Sequence, residues 1–242
     1  MDTIAIFSDI HGNYQALSAI LNDIKSKNIN KVFFLGDAVG IGPNPRECLD
    51  AIISNHIQLV LGNHELYALK SVHYIDGNEN TPKELHEDWT RDQLSAEQIA
   101  FLKAQPFQLN LQLGNSSIAL QHFLFNPDKA DHYPFDSFDI IEDGSINTIA
   151  EQLDADITFI GHMHSPFSVT TAHKTVIDVG SSGCTKDNQT FYTIASVNNG
   201  HINIEKVHLS YDRPAFEKTI RSTDYPERSY IAKEFFDIKI KP

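Results

Sequence analysis

Short apolar runs recur along this chain, and several end abruptly on a polar group. Thr3 to Ser8 is β-branched and aromatic and predicts a buried strand. Asn13 then opens a helix, with Leu17, Ile20, Leu21 and Ile24 on one face at the 3.6-residue period. Lys31 to Leu35 predicts a second buried strand. Asn44-Pro45-Arg46-Glu47 predicts a helix start: Asn44 as N-cap, Pro45 at the first helical position, Glu47 closing a capping box. Ile57 to Leu61 predicts a third strand. This β-α-β-α-β rhythm implies parallel strands with functional groups at their carboxyl ends.

The stretch from Tyr67 to Leu94 is polar, with Asp76-Gly77-Asn78 as a turn; Trp89 and Leu94 either cover a site or pack on the core. Ser95-Ala96-Glu97-Gln98 is a second capping box, opening a helix that ends before Pro106. Leu109 to Leu113 and Ser117 to Gln121 flank Gly114-Asn115-Ser116 and predict a hairpin that ends on His122. Ile146, Ile149 and Leu153 suggest a helix, and Ile157 to Ile160 a strand leading to Gly161. Beyond it the chain reads as antiparallel. Phe167 to Thr171 pairs with Thr175 to Val179, and Phe191 to Val197 pairs with His201 to Leu209 across Asn198-Asn199-Gly200. From Asp212 the pattern is helical, then irregular.

Length and charge narrow the picture. The chain has 242 residues, 41% of them hydrophobic, and a formal net charge of −13. The polar groups of interest run from Asp9 to His164, so one site draws on most of the chain, and residues 1–242 read as a single domain. The acidic balance argues against an extended nucleic-acid surface. It permits a small phosphorylated substrate, because bound cations reverse the charge locally. Cys48 and Cys184 make no disulfide framework, and no stretch approaches a membrane span, so a reduced, cytoplasmic setting is expected.

Five motifs carry the chemistry: Asp9-Ile10-His11, Gly36-Asp37, Gly62-Asn63-His64-Glu65, a lone His122, and Gly161-His162-Met163-His164. Each sits at or just past a predicted strand end. In an extended segment residues two apart share a direction, so Asp9 and His11 point together, as do His162 and His164. Carboxylate, imidazole and amide donors in this number fit two metal ions, with Asp37 the best bridging carboxylate. Mixed oxygen and nitrogen donors without a thiolate suit Mn, Fe or Zn. If Asn63 faces the metals, His64 is free to protonate a leaving oxygen. Glu65 either orients His64 or only starts the next helix. Single motifs of this kind are weak, since a lone histidine is usually a surface or core residue. His56, His73, His86, His132, His173, His201 and His208 are read that way. The ordered set is the signal.

That set resembles the calcineurin-like metallophosphoesterases. The stretch from Gly36 to Pro45 and the segment Trp89-Thr90-Arg91-Asp92-Gln93-Leu94 are similar to a bacterial branch of small phosphodiesterases that includes asymmetric diadenosine tetraphosphate hydrolases. The resemblance implies an α/β fold (α+β by some schemes), a four-layer α/β/β/α sandwich of two mixed sheets flanked by helices. It implies one ion held by Asp9, His11, Asp37 and His164, and another by Asp37, Asn63, His122 and His162, each divalent or trivalent. His64 is the implied catalytic acid, and a metal-bridging hydroxide the implied nucleophile.

The implied substrate is a small nucleotide carrying a phosphodiester or phosphoanhydride. Tyr67, Tyr74, Trp89, Phe123, Phe125 and Tyr133 are candidates to stack its base, and Arg46 and Arg91 are weak candidates to grip its phosphate. Protein serine/threonine phosphatases carry an Asp and an Arg where this chain has Gly40 and Ile41, which disfavours phosphoproteins. Relatives usually have an Asn-Pro-Gly-Ser-like turn where this chain reads Asp178-Val179-Gly180-Ser181. The alternatives are a phosphomonoesterase or protein phosphatase on the same site, and behind them a non-enzymatic interaction module with the same fold. That module predicts missing ligands, and none is missing here.

Overall fold

In β1 (Thr3–Phe7) successive side chains go to different cores. Ile4 and Ile6 join the cluster shared with Leu113, Ile118, Leu120 and Phe159, while Ala5 and Phe7 pack with the first helices. β2 (Lys31–Phe34) repeats the division, with Phe33 on the first side and Phe34 on the second. A strand covered on both faces reads as a continuous apolar run. The computed structural model describes residues 3–70, 81–124, 146–198 and 201–240. The expected turn at Asp76-Gly77-Asn78, the residues His73, Tyr74, Phe125, His132 and Tyr133, and part of the Asn198-Asn199-Gly200 turn lie outside them.

Two five-stranded mixed sheets form the centre. The first has the order β10-β9-β1-β2-β3, with β3 at Gln58–Leu59, β9 at Gln189–Asn198 and β10 at His201–Ser210. β1, β2 and β3 are parallel, as the βαβ rhythm predicts. The second has the order β4-β5-β6-β8-β7, from Gln108–Leu113, Ser116–Gln121, Ile157–Ile160, Thr175–Asp178 and Phe167–Thr170 respectively. Helices α1 (Tyr14–Ser26) and α2 (Pro45–Ser54) cover the outer face of the first sheet; α6 (Ile146–Gln152) packs with Ile160 and Val176 of the second. This is the two-sheet sandwich flanked by helices that the resemblance implies.

Helix ends largely follow the expected chemistry. Asn13 caps α1 by accepting from Ala16 N, and both halves of the Ser95/Gln98 capping box form at α5 (Ala96–Lys103). Asn44 is an exception. It occupies the N-cap of α2, but its side chain makes no capping bond, and its backbone N donates to Gly12 O instead. The polar stretch from Tyr67 to Leu94 also holds more structure than its composition suggests: α3 (Asn63–Ala68) runs into its start, and α4 (Pro82–Asp92) lies within it. Thr81 caps α4 through Glu84 N, with Pro82 at its first position. Trp89 of α4 stacks near His86 and Tyr225 and Leu94 joins the core, so both are packing residues. After β10 come α7 (Arg213–Ser222) and α8 (Arg228–Phe236), which pack on the α1 side around Phe216 and Phe236.

Phe159 is fully buried in the cluster that draws on both sheets. Phe159→Ala should therefore cost about 3–5 kcal/mol. Urea unfolding should register this as a lower midpoint at unchanged slope.

Candidate metal centre

All seven expected ligands sit just past a strand end. Asp9 and His11 follow β1, Asp37 follows β2, Asn63 follows the β3 segment, His122 follows β5, and His162 and His164 follow β6. The structure brings them together. Strand alternation is not the reason. Asp9 (φ 54°), His11 (46°), Asp37 (60°), His162 (71°) and His164 (60°) all adopt the left-handed backbone region. Each loop turns sharply at its ligand, which side chains tolerate only at a cost. Expecting Asp9 and His11 to converge as neighbours on an extended strand had the right outcome and the wrong geometry.

Backbone hydrogen bonds hold these turns against one another. Asp9 N donates to Gly36 O, and His11 N to Asp37 O. Ser182 N and Gly183 N donate to Ser8 O and Asp9 O, which ties the loop after β8 to the loop after β1. Glycine is required where loops touch. A Cβ on Gly62 would lie 2.2 Å from Asp37 Oδ1, and one on Gly161 would lie 2.1 Å from Ser8 Oγ.

The two carboxylates are arranged alike. Asp9 Oδ2 accepts from His162 N at 3.1 Å, and Asp37 Oδ1 accepts from His64 N at 2.9 Å. The second oxygen of each faces imidazoles. Asp9 Oδ1 is 3.4 Å from His164 Nε2 and 3.7 Å from His11 Nε2. Asp37 Oδ2 is 3.2 Å from His122 Nε2 and 3.7 Å from His11 Nε2. Asp37 Oδ2 thus stands between the two ligand sets. His122 Nε2 and His162 Nδ1 lie 3.2 and 2.9 Å from Asn63 Oδ1.

Outer contacts fix which ring nitrogen faces inward. His122 Nδ1 lies 2.6 Å from Leu35 O and His11 Nδ1 lies 3.3 Å from Val39 O, so each donates outward and turns Nε2 to the cluster. Burial pushes His11 and His162 down to about 4, so both are neutral with a free lone pair. His122 is raised to about 9, because Asp37 and Asp9 outweigh its burial. Burial opposes ionisation of Asp9 and Asp37, yet the surrounding histidines hold both below the usual carboxylate range. The metal fit is good on one direct observation: Asp9 Oδ1 is buried without a hydrogen-bond partner among the described residues. A cation satisfies such an orphaned anionic oxygen.

His64 is at the edge. It is burial-opposed but raised to about 10 by Glu87 and Asp37. Its ring meets His11 edge-on at 4.8 Å, and Tyr67 at 5.5 Å. Glu65 is fully buried and accepts from Asp37 N and Ala38 N at 2.7 Å and from Gly62 N at 2.8 Å. It therefore holds the Asp37 loop to the start of α3, in addition to starting that helix. Arg46 is exposed and its Nε donates to Gln93 O, while Arg91 Nη1 donates to Ala68 O; both tie α4 in place and neither joins the cluster. Phe123 is buried against His122 and His162.

Two neighbours were not anticipated. A donor atom of Cys184 lies within 4.8 Å of those of His11 and His164, so a thiol does stand beside the oxygen and nitrogen donors. Burial raises that thiol well above its ordinary pKa, which keeps it protonated in the metal-free chain. Phe235 of α8 stands 6.4 Å from His164. Cys184 follows the Asp178-to-Gly183 turn and Phe235 lies in the C-terminal helix α8; neither belongs to one of the five motifs.

The sequence profile of the calcineurin-like phosphoesterase superfamily domain matches residues 3–200. An uncharacterized protein of Methanocaldococcus jannaschii is 30% identical over 237 residues, 90% of this chain and 92% of that one. A symmetrical bis(5'-nucleosyl)-tetraphosphatase of Erwinia tasmaniensis is 32% identical over 104 residues, 42% of this chain and 37% of that enzyme. Serine/threonine-protein phosphatase 2 of Escherichia coli is 28% identical over 193 residues, 74% and 87% of the two chains. A hypothetical protein of Pyrococcus horikoshii shares the fold, with a TM-score of 0.77 at 21% identity over 99% of this chain and 100% of that one. With its His and Asp side chains set to bind metal, the chain belongs to the calcineurin-like phosphoesterase superfamily and is a metal-dependent hydrolase acting on phosphate esters.

Proposed function

We propose that the chain hydrolyses phosphodiester or phosphoanhydride bonds of small nucleotides, diadenosine polyphosphates among them, at a dinuclear metal site. The observation that carries this is Asp37 Oδ2, set between the His11 side and the His122 side of the cluster. One ion falls to Asp9, His11, Asp37 and His164, and the other to Asp37, Asn63, His122 and His162. Two cations, when bound, supply an acidified water and neutralise phosphoryl charge. The donor set suits Mn, Fe or Zn. Neutral His11 and His162 offer lone pairs without adding charge. His64 donates a proton to the departing oxygen. The nucleotide substrate is supported by the tetraphosphatase relative, which is named as the symmetrical enzyme rather than the asymmetric one. The reading treats residues 1–242 as one domain, because a single cluster takes ligands from both sheets. Two unpaired cysteines fit a cytoplasmic setting, and among the described residues no helix is long and apolar enough to cross a membrane.

The phosphatase relative favours a second reading, protein phosphatase activity. The corner at Gly40 and Ile41 counts against it. Gly40 has φ +75°, and a Cβ there would lie 2.1 Å from His64 Nδ1. Ile41 is buried, so neither position presents a cation to a phosphoryl group. A panel of a dinucleoside polyphosphate, a nucleoside phosphodiester and a phosphoserine protein tests this. Turnover should appear on the first two and be slight on the third; the reverse order would refute the reading.

Asp37→Asn should lower metal occupancy at both positions, and His11→Ala mainly at one. Metal analysis with calorimetric titration reads both, and loss at a single position in Asp37→Asn would end the bridging assignment. His64→Ala should keep both metals and lose about 10²–10⁴-fold in kcat on substrates with an alkoxide leaving group. A nitrophenyl ester, whose leaving group needs no proton, should suffer little. A uniform loss would make His64 a charge-stabilising group instead, and a loss of metal would make it a ligand.

A further inference from the structure

Glu87 is a partly buried charge beside His64 that the scheme above leaves without a task. It lies in the middle of α4, and its Oε1 is 3.1 Å from His64 Nδ1, with the two side chains only 12% and 17% exposed. The 3.1 Å approach is an ion-pair contact: neither His64 Nδ1 nor Glu87 Oε2 has a hydrogen-bond partner among the described residues. An acid this far from water needs a partner. The facing imidazole is the one on offer.

The helix that presents Glu87 is fastened close to it on several sides. Arg91 Nη1 donates to Ala68 O at the end of α3, and Asp88 pairs with Lys70 at 2.8 Å. Arg46 of α2 holds Gln93 O, and His86 Nδ1 sits 3.2 Å from Pro226 O. These ties fall one to six residues from Glu87 and reach α2, α3 and the segment before α8. Gly40 closes on the same nitrogen so tightly that a Cβ there would be 2.1 Å from Nδ1. Gly40 and Glu87 thus crowd the Nδ1 edge of the imidazole, with His11 edge-on at 4.8 Å.

We infer that Glu87 is the positioning residue for His64: its carboxylate receives the Nδ1–H and so leaves Nε2 as the nitrogen turned to the leaving oxygen. This rests on the reading of His64 as the acid. An imidazolium without such a partner samples two ring flips, and in one of them the wrong nitrogen points at the substrate. A carboxylate on one nitrogen removes that ambiguity. The partner comes from α4 because Gly40 offers no side chain at that corner.

The test compares wild type, His64→Ala, Glu87→Gln, Glu87→Asp and the double variant His64→Ala/Glu87→Gln. Each is assayed with metal content measured in parallel on thymidine 5'-(4-nitrophenyl phosphate) and on the dinucleotide TpT. Glu87→Gln should keep both metals, lower kcat on TpT roughly 10–100-fold and spare the nitrophenyl ester. Glu87→Asp should regain part of the TpT rate. The double variant should be no slower than His64→Ala, because the two residues act as one unit. In the metal-free protein, ring ¹⁵N–¹H spectra should show the His64 Nδ1–H signal moved or lost in Glu87→Gln, with those of His11 and His122 unchanged. Equal loss on both esters, additive losses in the double variant, or loss of metal in Glu87→Gln would each overturn the inference while leaving the role of His64 intact. If His64→Ala itself slows both esters alike or loses metal, the acid reading fails and this inference falls with it.

Discussion

The loops after β2 and β3 bring several backbone N–H groups into a space closed to water, and the Glu65 carboxylate is what those groups bond to. It takes Asp37 N and Ala38 N from one loop and Gly62 N from the other, and Val39 N lies 3.4 Å away. Burial and the nearby Asp37 charge push its pKa up to about 7, so the anion is costly here. The charge-assisted bonds offset that cost, and the unpaired N–H groups would be costly too if the carboxylate were removed. Everything downstream depends on this joint. It sets Asp37 beside Asn63 and sets His64 N where it can donate to Asp37 Oδ1.

The five ligand residues with left-handed backbone are the second half of the same economy. A non-glycine residue in that region costs about 1–2 kcal/mol. The strain persists because each turn is over-determined: Asp9 N, His11 N, Ser182 N and Gly183 N all have partners in a neighbouring loop. Two sheets that share one apolar cluster through Ile6, Phe33, Leu120 and Phe159 deliver those loops to one edge. Sheet packing supplies coarse placement, and the turns supply the last few ångströms. Asp9 Oδ1, buried without a hydrogen-bond partner among the described residues, is an anionic oxygen that a cation would satisfy.

Much of this was legible in the chain. The continuous apolar runs of β1 and β2, the polar groups at strand ends and the capping box at Ser95 are local signals, and the structure agrees with them. What was not legible is non-local or conformational. The positive φ of Asp9 and His11 is imposed by the loop after β2, which no spacing rule encodes. At α2 the Asn44 backbone N–H, which the Glu47 half of a capping box would use, goes to Gly12 O across the fold, and the side chain makes no cap. Helix α4 was readable in principle from Thr81-Pro82-Lys83-Glu84, an N-cap, a first-turn proline and a first-turn acid. Its mean polarity hid it, since a helix with few apolar residues shows little period. With α4 went the contact between Glu87 and His64, a pairing between residues that share no motif. Cys184 and Phe235 were invisible for the same reason: they reach the cluster only through tertiary packing.

The cluster divides into deeply buried side chains and two more exposed histidines. Side chains of Asp9, His11, Asp37 and His122 are at most 2% exposed, whereas His164 is 30% exposed and His64 17%. In the proposed reaction a phosphoryl group would approach over His64 and His164, the more exposed of these side chains. The elements beside those two are α3 and α4 on one side, with Tyr67 near His64, and α8 on the other, with Phe235 near His164. None of them supplies a ligand except α3, which supplies Asn63. The sheets and their loops thus fix the chemistry common to the superfamily. On the proposed reading, the elements beside the two more exposed histidines, α3, α4 and α8, are where the group attached to the phosphate would be met.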